Sequence, residues 1–313
     1  MKRAKPILAA TLSLFLLLPS LASCAITPSL DEPFYTFTDD LGVTVSLAKK
    51  PQKVAVLFSS FADIWVSAGG TVSITVGESV ERGFADAQAV LVDTGAGKTI
   101  NTELLLSQRP DFVICSSDIE AQVQLSALLN EYGIPCAAMR VEGFKDYLRV
   151  LKIFTDITQR QDAYRTHGVQ LKERINAMLA SLEELPAERA RVLFVRATST
   201  AVKAKRSEDH FVAAMLEEIG AVNIADRATV LIDGLNEEVI IKEDPAHIFV
   251  SFMGNEEGAK ANLEENKVWQ SLSAVREGRC YYLPKDLFQY KPGARWDEAY
   301  RYLIQLLYEQ NEP

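Results

Sequence analysis

Short apolar runs alternate with amphipathic stretches along most of the chain, and they do so in two similar sets. "KVAVLF" from Lys53 and "RVLFV" from Arg191 are rich in valine and aromatic residues, as is typical of buried strands. Each run is followed by a helical pattern that ends at glycine, at Gly69-Gly70 in the first set and at Gly220 in the second. Strands and helices then alternate again in both sets. This order predicts parallel sheets with helices on both faces.

A longer repeated pattern occurs once in each set. "NTELLLSQRPDFVI" at 101–114 and "NEEVIIKEDPAHIFV" at 236–250 share Asn, Glu and Pro at positions that differ by 135. In each copy we expect the asparagine to cap a short helix, the glutamate to lie in its first turn, and the proline to end the helix before a strand. The chain is therefore expected to fold into two α/β lobes.

The stretch between the two sets has an almost wholly helical pattern, with a break near Gln159-Arg160. Its second part is about 24 residues long and would reach about 36 Å at 1.5 Å per residue. One face of this part is apolar and carries Tyr164, Leu171, Ile175, Met178, Leu179 and Leu182. A helix of this length can join two lobes and limit hinge motion between them.

The predicted fold is thus α/β, with two lobes of mostly parallel sheet joined by a long connecting α-helix. We assign residues 34–143 to the N-terminal lobe, 144–185 to the connecting helices and 186–313 to the C-terminal lobe.

The N-terminal region has the pattern of an export signal. A basic start, "MKRAK", precedes the apolar run "ILAATLSLFLLL", which Pro19 and Ser20 interrupt. The following "LASC" resembles a bacterial lipobox. This resemblance implies that residues 1–23 form a lipoprotein signal peptide, that Cys24 carries lipid, and that 24–33 form a tether. The alternative is an ordinary secretory signal with an incidental cysteine. No later segment approaches 18 unbroken apolar residues, so we expect a lipid anchor and no membrane span.

Composition narrows the classes of partner. A net charge of −9 and a pI near 5.1 argue against nucleic acid, because phosphate backbones require a basic surface. The three histidines lack metal-ligand spacing, so we expect no resident metal or cofactor.

Cys115 and Cys136 fall next to apolar runs that could be neighbouring strands. Either a disulfide bridge or two small buried thiols is compatible with this placement.

Several segments, in a fixed order, resemble one protein family. They include "LLSQRPDFVI", "EYGIP", "FKDYLRVLKIFTDITQRQDAY", "FVAAMLEEIGAVNIAD", "VREGRCYYLP" and "FQYKPGARWDEAYRYL". The family is the helix-linked class of bacterial ABC-transporter substrate-binding lipoproteins, which deliver iron-siderophore complexes, haem or cobalamin. The resemblance implies a ligand cleft between the lobes and an extracytoplasmic, lipid-anchored monomer. It further implies that an ABC permease with its ATPase subunits is the partner.

The same resemblance gives a role to the glutamates of the repeat. It implies that Glu103 and Glu238 dock onto basic residues of a two-fold permease. The alternative for each glutamate is a favourable interaction with the N-terminus of its helix.

Candidate ligand-binding residues follow the predicted strands, since ligands of open α/β sheets bind at the carboxyl ends of strands. In the first lobe these residues are Ser59, Ser60, Phe61, Ser117 and Arg140. Hydroxyl groups and free backbone N–H groups at a helix start can bind an anionic ligand. For the residues from 59 to 61 the alternative is a simple helix cap.

In the second lobe the loop after the first strand, "RATSTAVKAKRSEDHF", is basic. Its candidates are Arg196, Lys203, Lys205 and Arg206, and the alternative is a solvated surface charge run. The segment "FQYKPGARW" adds Tyr290, Lys291, Arg295 and Trp296. Its alternative is a helix N-terminus that packs on the core with Trp296 buried.

Cations mixed with aromatic rings fit an anionic ferric chelate such as a siderophore complex. Haem would require an axial ligand, for which Tyr290 and His210 are candidates, and cobalamin would make less use of the basic loop.

No GxSxG elbow, HExxH motif or Walker loop occurs, so we do not expect an enzyme. The sequence predicts a binding protein for a siderophore-like ferric chelate. The alternatives are a haem or cobalamin binder of the same class and, less favoured, a lipid-anchored α/β hydrolase.

Overall fold

Two five-stranded sheets form the framework of the structure, a computed structural model that describes residues 32–93, 99–227 and 236–309. The predicted signal peptide, the lipid site at Cys24 and most of the tether lie outside the described residues. Residues Pro33–Pro313 form one compact unit. Within the described part of the chain, no helix combines the length and apolar character needed to cross a membrane.

The first sheet is built from the N-terminal part of the chain. Its elements, with a preceding hairpin, are β1 (Tyr35–Thr38), β2 (Thr44–Leu47), β3 (Val54–Val56), α1 (Ser59–Ser67), β4 (Ile74–Thr75), α2 (Gly77–Glu81), β5 (Val90–Leu91), α3 (Thr102–Ser107), β6 (Phe112–Ser116), α4 (Glu120–Glu131) and β7 (Cys136–Met139). The strand order is β5-β4-β3-β6-β7, with all neighbours parallel. Every residue of β3, β6 and β7 is buried, as expected for strands covered on both faces.

Three helices lead from the first sheet to the second: α5 (Phe144–Thr158), α6 (Gln161–Tyr164) and α7 (Gln170–Ala180). The predicted break is present, because Gln159 adopts a left-handed φ of 60° and ends α5. A π-helical turn at Arg165–Val169, which the sequence pattern did not predict, joins α6 to α7. Glycine suits this turn, since a Cβ at Gly168 would lie 3.1 Å from the ring of Tyr164.

The second sheet uses the rest of the chain. Its elements are α8 (Ala187–Ala190), β8 (Arg191–Ala197), β9 (Val202–Ala204), α9 (Phe211–Glu218), β10 (Val222–Asn223), α10 (Glu237–Glu243), β11 (His247–Phe252), α11 (Glu256–Glu265), α12 (Lys267–Ser271), α13 (Ser273–Arg276), β12 (Cys280–Tyr282), α14 (Lys285–Phe288) and α15 (Trp296–Ile304). The parallel order is β10-β8-β11-β12. Strand β9 pairs antiparallel with the end of β8, so the predicted basic loop contains a hairpin in which Lys203 is opposite Arg196.

The predicted repeat is confirmed in both lobes. The side chain of Asn101 accepts a hydrogen bond from the backbone N–H of Leu104 at 3.0 Å, and Asn236 accepts one from Val239 at 3.0 Å. Each capped helix, α3 or α10, is followed by proline and then by a buried strand. The sequence therefore predicted corresponding helix starts in the two lobes correctly.

The two cysteines of the first sheet lie on the neighbouring strands β6 and β7. Their sulfur atoms are 3.7 Å apart, and both thiols are free and fully buried. Of the two alternatives, the structure contains the pair of small buried thiols.

Candidate functional site

A cavity of about 390 Å³ lies between the two sheets, at the ends of several strands. One wall comes from residues that follow β6 and β7. The other wall comes from the end of β8, the start of α9 and the segment after α14. The lining residues are Asp118, Glu142, Gly143, Arg196, Ser207, Glu208, Asp209, His210, Phe211, Ala214, Gln289 and Lys291. The cavity therefore occupies the place where the strand-end rule predicted ligand binding.

The acidic side chains of the first wall are paired with one arginine. Arg140, a predicted site residue, lies 2.7 Å from a carboxylate oxygen of Asp118 and 3.5 Å from one of Glu142. All three side chains are about half exposed or more, so these pairs add little stability but offset the negative charge.

The acidic side chains of the second wall are paired in the same way. Arg206, also a predicted site residue, is bound to Glu208 and lies 2.8 Å from an oxygen of Asp209. Its guanidinium is therefore occupied within its own loop. Asp118 was not among the predicted site residues, although it lies two residues beyond β6 and the strand-end rule applies to it as well as to Ser117.

Arg196 and Lys291 differ from the other cations of the cavity. Among the described residues, neither has a carboxylate within ion-pair distance. The Nε atom of Arg196 is buried without a hydrogen-bond partner, and its Nη2 atom lies 3.3 Å from the sulfur of Met253. Burial lowers the pKa of Arg196. Two half-buried cations thus remain uncompensated at the cavity.

The ammonium group of Lys291 lies 4.7 Å from the centre of the Phe211 ring. Burial lowers the pKa of Lys291 to about 8. Asp118 acts against this shift and Arg196 adds to it, with smaller opposing contributions from Glu142 and Asp146. The pKa of Lys291 is therefore well below that of an ordinary lysine, and its side chain loses its charge as the pH rises through about 8.

His210 is the N-cap residue of α9, and its ring stacks on that of Phe211 with 4.7 Å between ring centres. Its Nδ1 atom accepts a hydrogen bond from the backbone N–H of Val212 at 3.2 Å. Burial, together with Arg196 and Lys291, holds the pKa of His210 well below its usual range. The ring is therefore neutral, and its proton resides on Nε2. In this state Nε2 is a hydrogen-bond donor and not a metal ligand.

The residues predicted after β3 do not line the cavity. Ser59 is fully buried, where it accepts a hydrogen bond from Arg82 at 2.8 Å and donates one to Glu78. Ser60 is buried and Phe61 packs into the core. Neither serine caps α1, because the cap position is Phe58 and it makes no side-chain cap bond.

The four predicted site residues in the segment after α14 lie in different surroundings. Lys291 reaches the cavity, whereas the ring of Tyr290 lies against the guanidinium of Arg82, 3.9 Å from its carbon. Arg295 is paired with Glu298 at 2.7 Å and with Asp286 at 3.2 Å. Arg82 was not predicted from the sequence, because Tyr290 is distant in the chain and no motif surrounds Arg82.

Trp296 is fully buried among Phe144, Tyr147 and Phe211. For this residue the structure favours the alternative, packing on the core, over contact with a ligand.

The remaining candidates lie at the margin of the site. Lys203 is exposed on β9, and Lys205 is half-buried and close enough to lower the pKa of His210. The backbone N–H of Ser117 donates to the carbonyl of Met139 at 3.0 Å, and its hydroxyl donates to the same carbonyl at 3.4 Å. Over the described ranges, no cluster of three or more His, Cys, Asp or Glu side chains is placed to hold a metal ion.

Two lobes of mainly parallel sheet, with a cavity between them that holds two unpaired cations, are the architecture of a two-lobed binding protein. The chain belongs to the periplasmic binding protein family, whose model matches residues 54–287. The predicted family and fold class are thereby confirmed. No curated protein matches the sequence.

Solved structures of similar fold share little sequence with the chain. Siderophore-binding protein BauB, bound to a complex of two acinetobactin molecules and ferric iron, has 17% identity and a TM-score of 0.69, covering 90% of this chain and 100% of its own. SirA from Staphylococcus aureus, complexed with staphyloferrin B, has 15% identity and a TM-score of 0.65, with coverages of 87% and 98%. IsdE from S. aureus, complexed with heme, has 14% identity and a TM-score of 0.61, with coverages of 82% and 98%.

The unpaired charge of Arg196 should lower the stability of the protein without ligand. Replacing Arg196→Met should raise the free energy of unfolding by about 1 kcal/mol, because a half-buried cation without a partner opposes folding. Urea denaturation of the ligand-free protein would measure this change. Arg140→Met is the matched control, since it removes an arginine that is paired with two carboxylates of the cavity wall and should not stabilise. A loss of stability in Arg196→Met would show that the guanidinium is compensated.

Proposed function

We propose that the protein is the lipid-anchored, extracytoplasmic substrate-binding component of an ABC importer, and that it captures an anionic ferric chelate of the siderophore type. The observation that carries this proposal is the pair of cations, Arg196 and Lys291, without carboxylate partners at the cavity. An anionic ligand would supply the missing partner. Charge-assisted contacts of this kind contribute about 1.5–3 kcal/mol each.

Family membership and the solved structures of similar fold support the same class of ligand. Two of the three proteins described above were solved with siderophores or their ferric complexes. The third, IsdE, holds heme. His210 is the histidine of the cavity, and its proton on Nε2 disfavours the axial ligation that haem would require. A ferric chelate that carries its own oxygen ligands needs no such ligand from the protein.

Binding and not catalysis is proposed for this cavity. The cavity lining contains one serine, Ser207, and no cysteine. The hydroxyl of Ser207 donates a hydrogen bond to Asp226 at 2.8 Å, so it is not paired with the neutral His210. An acyl-transfer site would need a nucleophile within hydrogen-bond reach of its base. The geometry therefore supports ligand capture over the hydrolase alternative.

The protein without its first 24 residues should bind an anionic ferric chelate. Purified protein would be titrated with ferric tris-catecholate, ferric citrate, a ferric hydroxamate, haem and cobalamin, with melting temperature and tryptophan emission as readouts. We expect an anionic chelate to raise the melting temperature and quench emission, because a ligand that binds only the folded state stabilises it. If the whole panel leaves both readouts unchanged, the assigned ligand class is wrong, and a response to haem alone would assign haem.

Matched variants test whether the cavity cations carry this binding. Arg196→Met should weaken binding of the anionic chelate by more than tenfold, as the loss of one charge-assisted contact implies. Arg295→Met should have little effect, because Arg295 is already paired with Glu298 and Asp286. Equal losses in both variants would move the site away from the cavity.

Binding should also depend on pH through Lys291. Its protonated form attracts an anion, and its pKa in the free protein is about 8, so affinity should be constant below that pH and fall above it. A fall of about tenfold between pH 7 and pH 9 is expected from proton linkage. Isothermal titration of wild type and Lys291→Arg would measure it, because arginine stays charged over this range. Identical profiles for the two proteins would exclude Lys291 as the titrating group.

We further propose that Glu103 and Glu238 dock onto the permease. Both are exposed and both occupy the second position of an asparagine-capped helix, one in each lobe. Two weak contacts made together give avidity, while each alone permits release. The double reversal Glu103→Lys with Glu238→Lys should abolish ligand uptake by cells and leave ligand affinity intact.

A matched control separates docking from a general effect of charge. Glu131→Lys with Glu265→Lys makes the same change at two exposed glutamates that end helices elsewhere, and it should leave uptake normal. Normal uptake by the Glu103/Glu238 variant would return both residues to the role of helix-end charges.

A further inference from the structure

Lys291 lies on an irregular segment that is held on both sides by the first lobe. The segment follows α14 and contains Tyr290, directly before Lys291, and Gly293, two residues after it. Both of these residues contact side chains from the N-terminal part of the chain, more than 200 positions away. A flexible lysine would otherwise lose side-chain entropy when a ligand fixes it.

The contact on the first side joins Tyr290 to Arg82. The guanidinium carbon of Arg82 lies 3.9 Å from the centre of the Tyr290 ring and 4.8 Å from that of Phe84. Arg82 is itself fixed, since it donates a hydrogen bond to the buried Ser59 at 2.8 Å. Burial lowers the pKa of Arg82, yet nearby Asp63 and Glu78 favour its charged form. A partly desolvated cation over an aromatic face is a strong contact of its kind.

The contact on the second side joins Gly293 to Asp63. Gly293 has a φ of 59°, and a Cβ built there would lie 2.0 Å from a carboxylate oxygen of Asp63. Only glycine satisfies both the left-handed backbone and this close approach. Burial raises the pKa of Asp63 to about 6, and Arg82 opposes the shift, so the group is ionised at neutral pH.

We propose that Arg82 and Tyr290 are positioning residues that hold Lys291 in the cavity. Lys291 belongs to the second lobe, but its position is then set by Arg82 of the first lobe. Lys291 faces Asp118 and Glu142 from the first lobe, Asp146 from α5 and Arg196 from β8, and none of these holds it in an ion pair. Its location therefore depends on the backbone on either side. The proposal rests on the proposed function for the use of Lys291, but the placement itself can be measured without any ligand.

The test is the titration of Lys291 in the ligand-free chain from residue 25 onward, with ¹³C- and ¹⁵N-labelled lysine observed by NMR and the signal assigned with Lys291→Arg. Wild type should titrate near pH 8. Tyr290→Leu should move the midpoint upward by about one to two pH units, because a released Lys291 gains solvent. Tyr290→Phe keeps the ring that Arg82 contacts and should keep the wild-type midpoint.

Arg82→Met provides a second variant should Tyr290→Leu fail to fold, and it should shift the midpoint in the same direction. A wild-type midpoint in either folded variant would overturn the positioning role. Failure of the proposed function has a different signature: no ferric chelate binds wild type, while the shifts in the titration of Lys291 remain.

Discussion

The arrangement of the cavity depends on the burial of one side chain, Trp296. Its ring lies 5.7 Å from that of Phe144 and 5.6 Å from that of Phe211, measured between ring centres, and none of its surface is exposed. Phe144 begins α5 and Phe211 begins α9, and the residue before each of these helices lines the cavity. Loss of a buried tryptophan costs about 3–5 kcal/mol in typical cores. The packing that stabilises the chain therefore also fixes the distance between the two cavity walls.

The connecting helices extend this constraint. Helix α15, which starts at Trp296, packs along α7, and Arg174 of α7 lies 2.7 Å from a carboxylate oxygen of Asp297. The C-terminal helix thus covers the link between the lobes instead of resting on the second sheet alone. Such bracing limits wide hinge motion and favours a largely preformed cavity, which reduces the ordering cost when a ligand binds. The proposed role in ligand binding would account for the unpaired cations, since binding sites commonly trade stability for function.

Much of the fold could be predicted because its signals are local. An asparagine that caps a helix accepts a hydrogen bond from a residue only three positions away, and buried strands appear as short apolar runs. Both lobes and the connecting helices could therefore be predicted from the sequence. The π-helical turn and β9 were not, because each depends on fit to neighbours. The contact between Arg82 and Tyr290 spans 208 positions and has no local signal. Trp296 illustrates the same limit, since an aromatic residue beside cations is equally compatible with a cleft and with a core.

Among the predicted site cations named below, those that form ion pairs differ from those that do not in their neighbours along the chain. Arg206 is paired with Asp209, Arg140 with Glu142, and Arg295 with Glu298, in each case an acidic residue within three positions along the chain.

Arg196 and Lys291 have no acidic residue within four positions on either side. A charged side chain with an acidic near neighbour can be neutralised by its own loop whatever the tertiary structure, whereas one without such a neighbour must find a distant partner or remain available. In this chain the topology brings both isolated cations to one cavity and no acidic side chain of the described residues close enough to pair with them. The pattern of local charge therefore distinguishes the two cations that we propose as ligand contacts from those that balance the cavity wall.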